Sequence, residues 1–511
     1  MDGFFSQVTK INDSVNNVVW GEMGLIFLIG TGILLTILTK VFQITHIGLW
    51  WRKTIGSVFS KSAHNKKDAG SVSQFQALCT ALAATIGTGN IAGVASAVVF
   101  GGPGAVFWMW VAAFFGMMTN YSENILGIYY RRKNDKGEWS GGAMYYLQDG
   151  LGSKKGCKTI GKVLAVIFSC FAVLASFGIG NMGQINKIVT NVDSAFFGKM
   201  KNPPMLVGSI GLIPFIIGIT LMIIAAIIIL GGLKRIAAVA ERIVPFMTVL
   251  YIIGSLIIIG VHISSVGTIF AAIFKFAFGT KAVVGGAVGI TVKQALVLGC
   301  KRGVFSNEAG LGSSVMVHSN SDVKEPVKQG LWGIFEVFAD TMIVCTMTAI
   351  VVLSSGAIDL STGNKIGDVD DATLVAKSFG NVFGQAGEWF VALAILFFAF
   401  TTVLGWSHYG TKAVEYLFGV KATKPYKVIF ILLINAGALM TSSLAWELSD
   451  TFNGLMMIPN LIGVLILSPL VVKLTKNYLD RRVKGKDIEP ILSFDKDIQE
   501  EHAKLVKEGR E

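Results

Sequence analysis

The stretch ATIGTGNIAG, residues 84–93, decides how this chain folds, because it interrupts an otherwise apolar run. It places Gly87, Thr88, Gly89 and Asn90 side by side, where an unbroken membrane helix would carry apolar side chains. Three explanations compete: a nucleotide-binding loop, a helix-packing patch, and a helix that is broken at membrane depth to hold something. A glycine loop that binds a dinucleotide needs a preceding strand in a βαβ unit, and this chain predicts no such unit.

The packing explanation accounts for the glycines but not for their neighbours. Gly89 and Gly93 have the spacing that lets two membrane helices approach closely. Thr85, Thr88 and Asn90 lie among them, and packing needs small residues but not several hydrogen-bonding residues together. The broken helix is therefore the favoured interpretation.

Composition places the chain in a membrane. Of its 511 residues, 52% are hydrophobic and only 15% are charged, against roughly 25% charged in an average soluble protein. The mean hydropathy is +0.62, and the 59 glycines suit closely packed membrane helices. The five cysteines contain no C-x-x-C pair, so neither a zinc site nor a disulfide scaffold is indicated. The net charge of +12 is interpreted as membrane topology and not as a nucleic-acid surface.

The hydropathy pattern predicts about eleven membrane spans, since a spanning helix needs about 20 mostly apolar residues. The predicted spans are 22–42, 74–100, 104–130, 162–188, 208–232, 243–262, 283–316, 333–354, 386–411, 426–444 and 452–474. We therefore expect an all-α, multi-pass protein of the cell membrane.

Basic residues indicate the orientation of these spans, because lysine and arginine concentrate in cytoplasmic loops. They follow the first, third, fifth and ninth spans and begin the tail, as in Arg52, Arg131, Lys234, Lys421 and Lys473. All of these loops share one side if the N-terminus is outside the cell and the C-terminus is cytoplasmic. The opposite loops carry acids such as Asp359 and Glu447.

A second interruption lies in the seventh span. The stretch GCKRGVFSNEAGLGSS, residues 299–314, brings Lys301, Arg302, Asn307 and Glu308 among glycines near membrane depth. Charge and irregular backbone are tolerated there only inside protein or along a cavity. For Lys301 and Arg302, the alternative is that they simply mark a cytoplasmic helix end.

The two interruptions are five spans apart. Paired broken helices at corresponding places in two halves are typical of secondary transporters built from inverted repeats. We therefore predict an extra N-terminal segment (1–70, with an extracellular end, a peripheral first helix and a cytoplasmic loop), two repeats (71–265 and 266–475) and a cytoplasmic tail (476–511). An odd repeat length of five gives the two halves opposite orientations.

Four longer stretches resemble the alanine/glycine:cation symporters, the sodium:alanine symporter family. They are GTGNIAGVASAVVFGGPGAVFWMW (87–110), FGIGNMGQINK (177–187), RGVFSNEAGLGSS (302–314) and GWSHYG (405–410), within a resemblance that covers about residues 70–475. The resemblance implies a leucine-transporter-type fold of five plus five inverted helices with one added helix. It also implies small amino acids as substrates, with Na⁺ or less often H⁺ as the coupling ion. The chain differs from the family pattern at His408–Thr411.

The resemblance also implies a substrate site for a zwitterion. A helix broken at Gly87–Asn90 leaves a half-helix N-terminus whose free N–H groups and positive dipole end favour a carboxylate. The amides of Thr88 and Gly89 are assigned to that carboxylate. Gln184 is interpreted as a substrate contact, although it could merely join helices. The residues predicted to bind substrate are Thr88, Gly89, Gln184, Phe305, Asn307 and Trp406; Phe305 and Trp406 would form the walls that favour alanine and glycine.

The cation is predicted to lie beside the same break. Carbonyl oxygens freed at Ala83 and Ile86, with the hydroxyls of Thr401 and Thr402, would provide the oxygen ligands of Na⁺. The alternative for the two threonines is a hydrogen bond to the preceding helical turn. Asp340, well inside the eighth span, needs a partner such as Lys301 or Arg302, in either a structural ion pair or the coupling path.

The predicted function is Na⁺-coupled symport of alanine and glycine, with no enzymatic activity, no cofactor and no nucleic-acid partner. An H⁺-coupled symporter and an amino-acid sensor that does not transport are the alternatives. The six histidines are scattered and form no metalloprotease motif, and the polar interruptions are local where a channel needs a continuous polar path. The oligomeric state is left open.

Overall fold

The computed structural model describes residues 2–58, 70–198, 200, 204–207, 210–279, 292–367, 373–440 and 443–508. Its helices are α1 (Asp2–Val19), α2 (Glu22–Leu38), α3 (Phe42–Thr45), α4 (Ile47–Lys53), α5 (Ile55–Val58), α6 (Gln74–Thr85), α7 (Val94–Gly101), α8 (Gly104–Tyr129), α9 (Ala143–Tyr145), α10 (Lys158–Phe177), α11 (Gly183–Val192), α12 (Leu212–Ile229), α13 (Gly232–Val261), α14 (Ile263–Phe278), α15 (Val292–Asn307), α16 (Val315–His318), α17 (Pro326–Val337), α18 (Thr346–Ser354), α19 (Leu374–Phe383), α20 (Gln385–Phe418), α21 (Thr423–Ala438), α22 (Ser443–Arg482) and α23 (Lys496–Lys507).

Shorter elements join these helices. The π-helical segments are Gly89–Gly93, Tyr146–Leu151, Gly178–Met182, Asp193–Phe197 and Phe338–Cys345, and one 3₁₀ turn covers Val420–Ala422. Two small antiparallel hairpins pair β1 (Arg132–Lys133) with β2 (Trp139–Ser140) and β3 (Met205–Val207) with β4 (Ile210–Gly211). The predicted all-α class is confirmed for the described residues.

Seven helices in the described ranges are long and apolar enough to cross a membrane, or eight if one bent pair counts as a single span. The seven are Gln7–Leu38, Lys158–Phe197, Leu212–Ile229, Gly232–Val261, Pro326–Ser354, Gln385–Phe418 and Glu447–Arg482, and the bent pair is Gln74–Thr85 with Gly89–Gly101. They coincide with the predicted first, second, fourth, fifth, sixth, eighth, ninth and eleventh spans.

The other three predicted spans fall on helices that are shorter or more polar. The third is α8, whose 26 residues include a fully buried polar run from Thr119 to Asn124 that lowers its hydropathy. The seventh and tenth are α15 and α21, each with 16 described residues. Residues 280–291 lie outside the described residues, and with them the start of the predicted seventh span. The total of eleven spans stays a prediction.

Two helices, α1 (Asp2–Val19) near the chain's beginning and α14 (Ile263–Phe278) near its middle, lie outside the predicted spans. Helix α1 packs on α22, where the Asn16 amide donates to Thr451 Oγ1 at 2.9 Å and the Trp20 indole donates to the Asp450 carbonyl at 3.0 Å. Helix α14 has 16 residues and packs against α8, with the Trp108 indole donating to the Ala277 carbonyl at 3.2 Å.

The first interruption has a defined beginning and end. Ser73 caps α6 in a capping box with Gln76, in which each residue accepts a hydrogen bond from the other's backbone. The helix stops at Thr85 because Ile86 has an extended backbone, and a helical path resumes with the π-helical segment Gly89–Gly93. The axes before and after the break differ by 53°.

The second interruption follows α15. Helical geometry ends at Asn307, and Glu308, Gly310 and Gly312 then have φ values of 56°, 93° and 74°. Glycine adopts this left-handed backbone without penalty, whereas a residue with a side chain rarely does. Glu308 is therefore a strained position, and the helical path resumes only with α16.

Helix α20 packs closely on the first interrupted helix. A Cβ atom added at Gly405 would lie 2.7 Å from the Ala84 Cβ atom and 3.0 Å from its Cα atom. Real Cβ atoms do not approach so closely, so glycine is required for α20 to reach this depth. The contact holds α20 beside the break.

Replacing Gly405 with alanine should lower the thermal unfolding midpoint of the detergent-purified protein. The added methyl group overpacks the contact with Ala84, which typically costs about 1–3 kcal/mol. The matched control is Gly30→Ala in α2, where an added Cβ atom meets nothing within 4 Å, so its midpoint should stay or rise. Equal midpoints for Gly405→Ala and the native protein would contradict this packing.

Candidate functional site

A small cavity lies where the two interruptions meet α20 and α22. Its volume, taken as the space open to the centre of a water-sized sphere, is about 10 Å³, which is the room that one water needs. A larger ligand fits only if the walls move apart. The cavity is lined by Ala84, Thr85, Gly87, Gly89, Ile179, Gln184, Phe305, Glu308, Thr402, Trp406 and Asn453.

Thr88 and Gln184, both predicted as substrate contacts, bind each other. Gln184 Oε1 accepts from the Thr88 amide at 3.3 Å and from the Thr88 hydroxyl at 3.0 Å. The Gln184 amide group donates to the Ile179 carbonyl at 3.1 Å, beside the π-helical segment of the fourth span. One side-chain oxygen thus covers the N–H group at the half-helix N-terminus, which is the place predicted for a carboxylate.

The glycines of the first interruption are explained by their neighbours. A Cβ atom at Gly87 would lie 2.5 Å from Thr402 Oγ1, and a Cβ atom at Gly89 would lie 3.1 Å from the Phe305 ring. Side chains at these positions would fill the cavity or push its walls apart. The glycines therefore bring bare backbone to the cavity surface.

A buried carboxylate joins the two interruptions. Asp340 Oδ1 accepts from the Asn90 amide group at 2.7 Å, and Asp340 Oδ2 accepts from the hydroxyls of Ser306 at 2.7 Å and Thr341 at 2.8 Å. Asn90 in turn accepts from the Gly87 amide at 2.9 Å. Asn90 thus supports the broken backbone from behind, and the cavity lining does not include it.

The proposed pairing of Asp340 with Lys301 or Arg302 is wrong for the described residues. Lys301 Nζ lies 2.7 Å from Asp450 Oδ2, and Arg302 donates to Ser96 Oγ at 3.5 Å. Asp340 is fully buried and its carboxylate is satisfied by neutral donors, whereas Lys301 reaches outward to α22. A role for Asp340 and Arg302 in coupling stays a prediction.

The remaining predicted substrate residues divide into two groups. Phe305 and Trp406 line the cavity, and the Trp406 indole donates to Glu308 Oε1 at 2.9 Å. Asn307 lies behind the lining, where its amide group donates to Thr341 Oγ1 and its Oδ1 atom accepts from the Ala309 amide, both at 3.0 Å. Its contacts indicate support of the second interruption.

Two of the four predicted cation ligands are in contact. Thr402 Oγ1 donates to the Ala83 carbonyl at 3.0 Å across the helix interface, and it lies equally close to the Phe398 carbonyl of its own helix. Within the described residues, Thr401 Oγ1 donates to the Phe398 carbonyl of its own helix at 3.0 Å and to no other group. Ile86 is buried at the end of α6. The oxygens of Ala83 and Thr402 therefore form the centre of this candidate cation site.

Sequence reasoning missed three polar residues of the cavity. Thr85 Oγ1 and Asn453 Oδ1 are buried and have no hydrogen-bond partner within the described residues, and Glu308 is held by Trp406 and by Ser313 Oγ at 2.5 Å. Thr85 and Glu308 belong to the two quoted stretches, so their position near the breaks was a usable signal. Asn453 carries no such signal, since only the packing of α22 brings it to the cavity.

Interrupted helices that face each other across a buried polar cavity, among the seven or eight candidate spans of the described residues, are typical of secondary transporters. The family comparison agrees. The model of the sodium:alanine symporter family matches residues 5–491, and this chain belongs to that family.

Individual relatives match along nearly their whole length. The sodium/alanine symporter AgcS of Methanococcus maripaludis is 43% identical over 479 residues, which are 93% of this chain and 98% of that protein. The amino-acid carrier protein AlsT of Bacillus subtilis is 34% identical over 495 residues, 95% of each chain.

Among solved structures, the crystal structure of MhsT in complex with L-phenylalanine matches with a TM-score of 0.50 and 13% sequence identity. The match covers 79% of this chain and 98% of that chain. Likeness at this identity concerns the fold alone. The predicted similarity to leucine-transporter-type structures is confirmed at the level of the overall fold, and the division into five plus five inverted helices with one added helix stays a prediction.

Proposed function

We propose that this protein is a Na⁺-coupled symporter that carries small neutral amino acids, alanine and glycine, into the cell by alternating access. The observation that carries the proposal is the buried polar cavity between two interrupted helices. The name of the archaeal relative, a sodium/alanine symporter with 43% identity, supports the same ion and substrate.

The substrate carboxylate would bind at the amides of Thr88 and Gly89. Gln184 Oε1 accepts from the Thr88 amide and hydroxyl, and a carboxylate oxygen would accept the same hydrogen bonds. The positive end of the half-helix that follows stabilises that charge. Gln184 would then turn its amide group toward the substrate.

The substrate ammonium group needs acceptors, and the cavity has two that are unused. Thr85 Oγ1 and Asn453 Oδ1 are buried without partners within the described residues, although buried polar atoms are normally hydrogen-bonded. Both residues line the cavity with Glu308. We assign Thr85 and Asn453 to the ammonium group, which places the two charged ends of a zwitterion on different helices.

The walls favour the smallest side chains. Phe305 and Trp406 line the cavity, and a Cβ atom at Gly180 would lie 2.4 Å from the Trp406 ring, so the indole has no room to retreat on that side. Attraction for one extra methylene is worth only about 1–3 kcal/mol. Exclusion of larger amino acids therefore comes from steric clash. Asn307 would act by holding the backbone next to Phe305.

Na⁺ would bind beside the first interruption. Hard cations prefer oxygen ligands, and we assign the carbonyls of Ala83 and Ile86 and the hydroxyls of Thr401 and Thr402 to it. The 3.0 Å contact between Thr402 Oγ1 and the Ala83 carbonyl supports this position. Asp340 would couple the two interruptions through Asn90 and Ser306, and Arg302 lies one helical turn before Ser306 on α15.

One Na⁺ supplies enough free energy. Moving one charge across about 100 mV contributes about 2.3 kcal/mol, and a tenfold Na⁺ gradient adds about 1.4 kcal/mol. The sum of roughly 3.7 kcal/mol sustains a few-hundred-fold accumulation of a neutral zwitterion. A second ion is not required.

Alternating access would use the predicted topology of eleven spans, with halves 71–265 and 266–475, an outer N-terminus and a cytoplasmic C-terminus. A second cavity, with a volume of about 560 Å³, supports alternating access. This cavity is lined by Val72, Asn320, His408 and Lys412 among others, and His408 follows Trp406 of the substrate cavity by two residues. On the predicted orientation, the second cavity is the cytoplasmic vestibule.

Uptake of labelled L-alanine into proteoliposomes tests the function. We expect accumulation above equilibrium with an inward Na⁺ gradient and none when choline replaces Na⁺. Accumulation driven by a proton gradient in choline would identify the H⁺-coupled alternative. Saturable binding without flux under any gradient would identify a sensor and contradict the proposal.

Replacing Thr402 with alanine should raise the Na⁺ concentration for half-maximal uptake at least about tenfold, because one ligand of the ion is removed. The matched control is Thr220→Ala in α12, where the hydroxyl only bonds to the Ile216 carbonyl of its own helix at 2.8 Å. Unchanged Na⁺ activation in Thr402→Ala would refute the assignment of the cation site.

Replacing Asn453 with alanine should raise the KM for alanine about tenfold and leave the Na⁺ dependence intact, because an acceptor of the ammonium group is lost. Asn435→Ala is the matched control, since Asn435 Oδ1 is likewise buried without a partner within the described residues but does not line the cavity. Equal KM values for both variants would refute the role of Asn453.

A further inference from the structure

A separate cavity lies at the ends of three structural elements, away from the substrate site. It has a volume of about 610 Å³ and lies between α4, the first turn of α17 and the last turns of α22. Its principal side chains are His46, Arg52, Lys53, Lys328, Tyr478 and Arg482. None of its lining residues in the described part of the chain is acidic.

The cations around this cavity outnumber the nearby acid. Glu325 accepts from Arg481 at 2.7 and 3.0 Å and from Arg482 at 2.9 Å, so a single carboxylate serves two arginines. Arg52, Lys53 and Lys328 add three further positive charges at the cavity. The described residues that line the cavity therefore carry more positive than negative charge.

The proximity of these cations is reflected in the titration of Lys53. Burial and, after it, the repulsion of Lys328, Arg52 and Arg482 lower the pKa of Lys53. All four side chains line the same cavity, which brings their charges close together. An anion with several oxygens would relieve this repulsion.

The elements around the cavity indicate that it lies at a membrane surface, because α3 and α4 directly follow a candidate membrane span. The chain turns sharply after α2, at Lys40 and Val41 with φ values of 59° and 55°, and then forms the short helices α3 and α4. These helices expose Ile44, Ile47 and Trp51 by 55%, 56% and 44%, next to the cations of α4. Apolar and aromatic residues beside basic ones are typical of a helix that lies in the membrane interface.

Trp50 fixes α4 against the rest of the protein. Its side chain is buried, its indole donates to the Gln43 carbonyl at 2.9 Å, and its ring centroid lies 5.7 Å from that of Phe338. The cations of α4 are therefore held at a preformed cavity wall.

We propose that this cavity binds a phosphate group, and that the geometry favours the phosphate of an anionic lipid headgroup. Arginine and lysine bind phosphate oxygens through charge-assisted hydrogen bonds, and basic pockets between membrane helices recognise anionic headgroups. The interfacial position gives a lipid direct access, while a soluble phosphate would use the same side chains.

The test uses the full-length protein in detergent and follows its thermal unfolding midpoint during titration, since a ligand of the folded state raises it saturably. The probes are short-chain phosphatidylglycerol, short-chain phosphatidylcholine and inorganic phosphate. We expect a saturable rise with phosphatidylglycerol that exceeds the effect of phosphatidylcholine. In the double variant Arg52→Gln/Lys53→Gln the apparent Kd should weaken about tenfold or more.

Two further variants separate the cavity from general surface charge. Arg52→Lys/Lys53→Arg keeps both charges and should bind as the native protein does. Lys421→Gln/Lys496→Gln removes two exposed cations outside the cavity and should also leave the apparent Kd unchanged.

The outcomes are distinct. A saturable effect of inorganic phosphate that is lost in Arg52→Gln/Lys53→Gln would support the phosphate site and assign it to a soluble ligand. Equal weakening in both glutamine variants, or no saturable effect with any probe, would overturn the proposal. Alanine uptake is not part of this readout, so failure here leaves the proposed transport function untouched.

Discussion

The arrangement of the site depends on the carboxylate of Asp340, which hydrogen-bonds to both interrupted helices. It accepts from Asn90 at the first interruption and from Ser306 next to the second, so it connects the two stretches of irregular backbone. A charged or polar group at membrane depth is costly unless it is satisfied. Asn90 also accepts from the Gly87 amide, which loses a helical partner at the break. The polar groups exposed by breaking two helices are thereby used to hold those helices together.

Much of the fold could be predicted because its signals are local. Glycines beside Thr88, Asn90 and Glu308 mark the two interruptions directly in the sequence, and eight predicted spans coincide with the candidate spans of the structure. Helix α8 fails the hydropathy test because its polar residues from Thr119 to Asn124 are satisfied inside the protein and not by lipid. Local composition cannot reveal that kind of burial.

The site was predictable where function lies next to a break and not where it depends on packing between distant segments. Gly89, Gln184, Phe305 and Trp406 line the cavity, and motifs pointed to all four. Asn453 reaches the cavity only through the path of α22, and Lys301 pairs with Asp450, far away in the chain. Neither contact is indicated by the spacing of residues in the sequence. The same limit explains why the sequence predicts Asn307 as a substrate contact, although it lies behind the cavity lining.

Helix α20 presents Trp406 to one cavity and His408 to another. Residues two positions apart on an α-helix point about 200° away from each other, so opposite faces of the same turn border two separate compartments. On a third side of the turn, the backbone at Gly405 packs directly against Ala84. This turn has no side that faces lipid, where substitutions are most easily tolerated. Few amino-acid exchanges can be accepted at Gly405 and Trp406, so differences in substrate preference among relatives should arise from other walls of the substrate cavity.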